Sequence, residues 1–272
     1  MSGDALETVL KRDRAVVVTA VLVLTALAWI YVLWTAASMS AATPASSMPG
    51  MNMPGMNMAP AGSVSSIAGF ALTLAMWVVM MIGMMTPSAA PMILLYARVG
   101  RQARADGRPF APTFWFAGGY LLAWSGFAVA ASLAQLALAH LMLITPMLAA
   151  ANNRFAGFVL VAAGIYQWTP LKHSCLSQCQ TPLRFLQRHG GFQRDPGGSL
   201  KLGLKHGLAC IGCCWALMML LFVGGVMNLL WIAALSILVL LEKLLFLGRF
   251  MPPFVGLVLV AVGAIFIFGM AI

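Results

Sequence analysis

Seven apolar runs dominate the chain, at residues 15–37, 67–97, 111–139, 155–170, 204–227, 229–247 and 252–271. Crossing a hydrocarbon core of about 30 Å takes about 20 residues of helix. In lipid, every backbone N–H and C=O must be satisfied within the segment itself, because no water is there to do it. The runs therefore predict an all-α fold, a polytopic transmembrane helical bundle of about seven spans. Charged residues make up only 8% of the sequence, whereas a soluble domain carries about a quarter. A water-soluble enzyme is excluded on that ground.

The sixteen Lys and Arg residues test the span count. With the N-terminus inside, alternate segments hold Lys11, Arg12 and Arg14, then Arg98, Arg101, Arg104 and Arg108. The next inner segment holds Lys172, Arg184, Arg188, Arg194, Lys201 and Lys205, and the last holds Lys243 and Arg249. Only Arg154 falls outside. This positive-inside partition puts the N-terminus in and the C-terminus out, and it accounts for the net charge of +10 without nucleic acid. The expected location is a bacterial inner membrane, with multiple passes. Residues 15–37 exceed the ~7–15 residue apolar region of a cleaved signal peptide, so they read as an anchor. Cleavage would leave six spans. The organisation expected is thus a cytoplasmic N-terminus and first span at 1–37, an external flexible loop at 38–66, and a six-span core at 67–272. That core carries a Cys- and Arg-rich cytoplasmic loop at 171–203. The second run contains Pro87 and Pro91 and is expected to kink or end near Thr86.

The loop after the first span writes MPGMN twice, giving Met48, Met51, Met53, Met56 and Met58. Pro and Gly at this density oppose a regular helix or strand. A linker selected only for flexibility would not place thioethers in water, where they oxidise. Thioether is soft and uncharged, and it selects Cu(I). No His, Asp, Glu or Cys accompanies it, which argues against Zn(II), Cu(II) or Ca(II). A low-complexity spacer and a hydrophobic docking patch are the competing readings. The second run adds Met76, Met80 and Met84 at four-residue spacing, on one helix face. That face suits either ligand exchange of Cu(I) or ordinary packing beside Gly83.

All five cysteines fall on the inner half. Cys175 and Cys179 form C-x3-C after the fourth run, and share a helix face if that segment is helical. His206, Cys210, Cys214 and Met218 follow at four-residue intervals in the fifth run, with Cys213 alongside. Gly203, Gly207 and Gly212 leave room for a close neighbour. Buried free Cys is often only a small apolar residue, but two spaced groups, each beside a His, point to metal or redox chemistry. The predicted metal ligands are the five loop methionines, Met76, Met80, Met84, Cys175, Cys179, His206, Cys210, Cys213, Cys214 and Met218. His140 and His189 have no sulfur neighbour in sequence and read as interfacial. Glu242 and Lys243 are adjacent and cannot face each other. Glu242 is expected either to pair with a base such as Lys172 or to act as a gate or proton-coupled group.

Several segments together resemble a bacterial family of predicted metal-binding integral membrane proteins. They are Met84 through Met92, Lys172 with Cys175, Leu176 and Cys179 through Pro182, and Gly207 through Cys210-Ile211-Gly212-Cys213-Cys214-Trp215 to Met218. Gly224 through Asn228 and Glu242-Lys243 complete them. The resemblance covers about residues 67–270 and leaves out the methionine loop. It implies metal binding, without naming the metal or a direction. The function expected is Cu(I) binding in copper homeostasis, collected by the outer loop and relayed to the inner Cys/His site for transport or hand-over. The alternatives are a membrane thiol–disulfide oxidoreductase and an accessory subunit that docks to and loads a copper enzyme. Copper ions, the bilayer and such an enzyme or a periplasmic copper chaperone are the expected partners. No phosphate-binding loop is present, so neither a nucleotide cofactor nor enzymatic pumping is expected.

Overall fold

The computed structural model describes residues 3–42, 67–107, 111–145, 148–244 and 250–269. Among the described residues ten helices follow one another: α1 (Gly3–Ala42), α2 (Ile67–Ala105), α3 (Thr113–His140), α4 (Asn153–Gln167) and α5 (Pro170–Gln180). Then come α6 (Pro182–Arg188), α7 (Pro196–Met219), α8 (Leu221–Gly224), α9 (Leu229–Leu244) and α10 (Met251–Phe268). Among the described residues the only β pairing is an isolated bridge between Ile144 and Ala150. The all-α expectation holds.

Among the described residues, five segments are long and apolar enough to cross a membrane: Val17–Ala37, Ile67–Ala103, Thr113–His140, Pro196–Gly224 and Met251–Phe268. The other two expected spans are helical. At 1.5 Å per residue, the 15 residues of α4 reach roughly 22 Å, a short run that closes at Trp168 as the sequence suggests, and α9 is described as far as Leu244. α2 does not end at Thr86 but runs on through Pro87 and Pro91 to Ala105. Each proline removes one N–H from the ladder, which leaves Gly83 O and Pro87 O without their usual donor. Ser88 Oγ donates to Met85 O at 2.8 Å, and Tyr120 Oη donates to the same carbonyl at 3.0 Å.

The expected 171–203 loop is mostly helix. Thr169 caps α5 ahead of Pro170, and Asp195 caps α7 ahead of Pro196, each side chain accepting from the backbone N–H three residues on. An Asp or Thr followed by Pro is a helix start signal. α7 consequently begins eight residues before the apolar run it carries.

α3 packs along α7, α4 along α10, and α1 along α2, with α2 also against α3 and α9. The first two interfaces are backbone to backbone. A Cβ at Gly203 would collide with Phe116 O, and one at Gly119 with Leu200 O. At the other crossing, a Cβ at Gly164 would stand 2.8 Å from Gly256 O, and one at Gly256 would stand 2.9 Å from Gly164 O. Small residues admit such approach. The centre is filled by Trp77, Met80, Met81, Met84 and Met85 of α2 with Phe116, Tyr120 and Trp124 of α3. α1 buries Ala28, Val32 and Ala36, one residue per turn, and turns Leu27, Ile30, Leu33 and Trp34 outward.

Candidate metal centre

His206, Cys210, Cys213, Cys214 and Met218 lie on α7 and are all buried. The Cys213 and Cys214 thiols turn back onto their own helix, each donating to Cys210 O at 3.0 Å. Cys210 Sγ instead points away from α7 into a polar knot. Lys243 Nζ donates to it at 2.9 Å and to Ser88 Oγ at 3.0 Å. Tyr120 Oη lies 3.2 Å from the same sulfur. The single phenolic proton is directed to Met85 O, so the tyrosine oxygen is free to accept from sulfur.

The second cysteine group arrives on α5. Cys175 and Cys179 lie one turn apart and are partly buried. α5 packs against α7 because Gly212 has no side chain there: a Cβ at that position would stand 2.7 Å from Cys175 Sγ. Tyr166 of α4 donates its hydroxyl to Gly212 O, which fixes α7 at the same level. The Cys179 thiol thereby meets the side chains of Cys210 and Cys213. Thiols from two segments some thirty residues apart in sequence form one neighbourhood at the junction of α5, α7 and α9. Burial pushes the Cys175 thiol up, and the nearby Cys213 adds to the effect.

The two cysteine groups are thus brought together, but not as a ready-made cage. Among the described residues, no three His, Cys, Asp or Glu side chains converge closely enough to hold a metal ion. His206 stands among aromatic rings. Its ring packs among Phe185, Tyr120 and Phe116 at centroid distances of 5.0, 5.8 and 5.9 Å, and its Nδ1 has no hydrogen-bond partner. Met80, Met84 and Met218 are buried within the apolar core, and Met76 is partly buried against it. Met48, Met51, Met53, Met56 and Met58 lie outside the described residues. His189, read as interfacial, is partly buried with its ring 4.4 Å from Phe185 and its Nδ1 2.9 Å from Phe185 O.

Glu242 pairs with Lys172 at 2.8 Å, the partner suggested by the sequence. Lys172 also donates to Gln167 Oε1, and Gln180 Nε2 donates to Glu242 O at 2.7 Å. Sequence reasoning missed Tyr120, Ser88 and the thiol contact of Lys243. Lys243 carried a signal, a basic residue one step past a committed acid in an apolar helix. Tyr120 had only the preceding Gly118-Gly119 pair, which marks a close helix approach.

A family model described as PpoB2, copper chaperone, matches residues 74–266. No curated protein and no solved structure matches the chain. The matched region spans more than two thirds of the sequence and contains all five cysteines, Tyr120 and Lys243, while the methionine loop precedes it. With its cysteines gathered at the junction of three helices in the matched region, the chain belongs to the PpoB2 copper chaperone family.

Proposed function

We propose that this chain is a multi-pass protein of the bacterial inner membrane that binds Cu(I) as cargo and hands it over in copper homeostasis. The observation that carries the reading is the meeting of Cys179 with Cys210 and Cys213, inside a region matching a copper chaperone family. Thiolates are soft ligands suited to Cu(I), and buried thiols hold the ion away from water. α1, α2, α3, α4, α7, α9 and α10 serve as the seven spans, with the N-terminus inside. The short helix α4 is supported by α10 along its length.

Collection begins at Met48, Met51, Met53, Met56 and Met58 in the external loop. Met76, Met80 and Met84 continue the thioether series along α2, and His206 and Met218 flank the thiols on α7. Thiolate holds Cu(I) more firmly than thioether, so transfer runs from the loop toward Cys179, Cys210, Cys213 and Cys214. Closing around the ion requires the Cys213 and Cys214 side chains to leave the Cys210 carbonyl, a rotamer change within one helix turn. Cys175, at the more exposed edge of the cluster, is the departure ligand. The word chaperone in the family description favours delivery to a copper enzyme or a periplasmic carrier over free transport.

Copper titration under reducing conditions tests the reading with three proteins: the full chain, a variant lacking residues 48–58, and a variant with the five cysteines replaced by Ser. The expected result is fewer Cu(I) per chain in both variants. Unchanged stoichiometry in both would sink the proposal. Thiol trapping in cells with and without copper addresses oxidoreductase chemistry: a copper-independent, reversible disulfide among Cys210, Cys213 and Cys214 would replace the copper reading.

A further inference from the structure

Lys243 is buried, and among the described residues no carboxylate forms an ion pair with it. Its neighbour Glu242 is engaged by Lys172, because consecutive helical side chains point in different directions. Of the other acids, Asp106 bonds Gln102 on the surface and Asp195 caps α7, while the side chains of Asp4, Glu7 and Asp13 lie outside the described residues. Among the described side chains the buried charges are thus two ammonium groups, Lys172 and Lys243, and one carboxylate, Glu242, leaving one positive charge over. The surplus charge is aimed at sulfur, since Lys243 Nζ rests between Cys210 Sγ and Ser88 Oγ. Ser88 is oriented to accept from it by giving its own proton to Met85 O.

We propose that Lys243 is the built-in counter-cation of a two-thiolate Cu(I) complex, and that it fixes at two the number of thiolates the ion takes. The inference rests on the copper reading above. One Cu(I) with two thiolates carries a charge of minus one, which Lys243 cancels. A third thiolate leaves an uncancelled negative charge, and a single thiolate leaves the lysine unbalanced. Either state places an unpaired charge in a dry interior, where it is strongly disfavoured. Cys210 supplies one thiolate, being the sulfur that Lys243 touches, and Cys179 or Cys213 supplies the other. Lys243 is thus a positioning and specificity residue that acts on the ion through Cys210.

The test uses the full chain in lipid nanodiscs, with Cu(I) supplied against a chromogenic Cu(I) chelator and the copper environment read by X-ray absorption. The expected wild-type result is two sulfur neighbours per Cu(I). Lys243→Met is expected to weaken Cu(I) by about 10–100-fold, the scale on which partners of metal ligands act. Lys243→Arg, which keeps the charge, is expected to remain close to wild type. Three or four sulfur neighbours in the wild type, or Lys243→Met binding as tightly as wild type, would overturn the inference and leave the copper reading standing. A wild type that takes no Cu(I) overturns both. If Lys243→Met fails to fold, the wild-type sulfur count decides alone.

Discussion

Lys172 Nζ and Glu242 Oε2 lie 2.8 Å apart with both side chains buried, tying α5 to α9. Gln180, at the far end of α5, donates to the backbone of Glu242 as well. α5 is thereby held at both ends against the terminus of α9, and Cys175 and Cys179 lie between the two ties. The pair does not touch copper chemistry directly. It sets where the α5 thiols stand relative to α7.

Breaking this pair one-sidedly leaves a buried charge without its partner, a loss of about 3–5 kcal/mol. Lys172→Met and Glu242→Leu are each expected to lower the melting temperature of the purified protein sharply. The double variant is expected to recover much of the loss, since an apolar pair of similar volume suits the same space. A double variant as unstable as the sum of the singles contradicts the assignment.

The α3/α7 crossing has no room for a methyl group at Gly119 or Gly203, because the obstruction is backbone oxygen. Gly203→Ala is expected to destabilise by more than the ~1–3 kcal/mol of ordinary overpacking, since backbone cannot rotate aside as a side chain does. Gly126, with nothing near its missing Cβ, is the control: Gly126→Ala should leave the melting temperature unchanged or raise it.

Trp77 Nε1 donates to Gln135 Oε1 at 2.7 Å in the buried core between α2 and α3. Gln135→Leu strands the indole N–H, at an expected loss of about 1–3 kcal/mol. Pairing that change with Trp77→Phe removes the stranded donor. Comparing the two by denaturation separates the hydrogen bond from simple packing.

Thiol labelling divides the cysteines by burial. Cys175 is reached by a small maleimide in the folded protein, while Cys210, Cys213 and Cys214 stay protected until unfolding. Burial raises the Cys175 thiol above its ordinary value of 9.0, so less thiolate exists at neutral pH. Its labelling is therefore slower than that of a free surface thiol, and the rate continues to climb above about pH 9, where a normal thiol has begun to level off. A rate that levels off at or below pH 9 contradicts the assignment.

The helices were readable because apolar runs of this length have no other fold available. The short fourth helix and its close at Trp168-Thr169-Pro170 were legible, because Thr followed by Pro starts a new helix there. The positive φ of Gly225 lies in the turn ahead of α9. Pro87 and Pro91 did not end the helix: each removes a donor, but α2 runs on through both to Ala105. The shared face of Cys175 and Cys179 was legible from their spacing. Its approach to α7 was not, because it depends on Gly212 being empty where Cys175 arrives, a match between residues far apart in sequence. The Lys172–Glu242 pair was legible as charge matching. The partner of Lys243 was not, as nothing in a sequence tells a lysine to choose sulfur.

The glycine seam between α4 and α10 also constrains how the protein is made. Gly157 meets Gly263 and Gly164 meets Gly256, partners that leave the ribosome about a hundred residues apart. α4 is synthesised early and exposes a bare backbone strip with no mate until α10 is synthesised. Contacts of such sequence separation form late. The C-terminal helix thus acts as the closing step of assembly, and truncation within α10 is expected to expose α4 to quality control while leaving the cysteine-bearing helices translated in full.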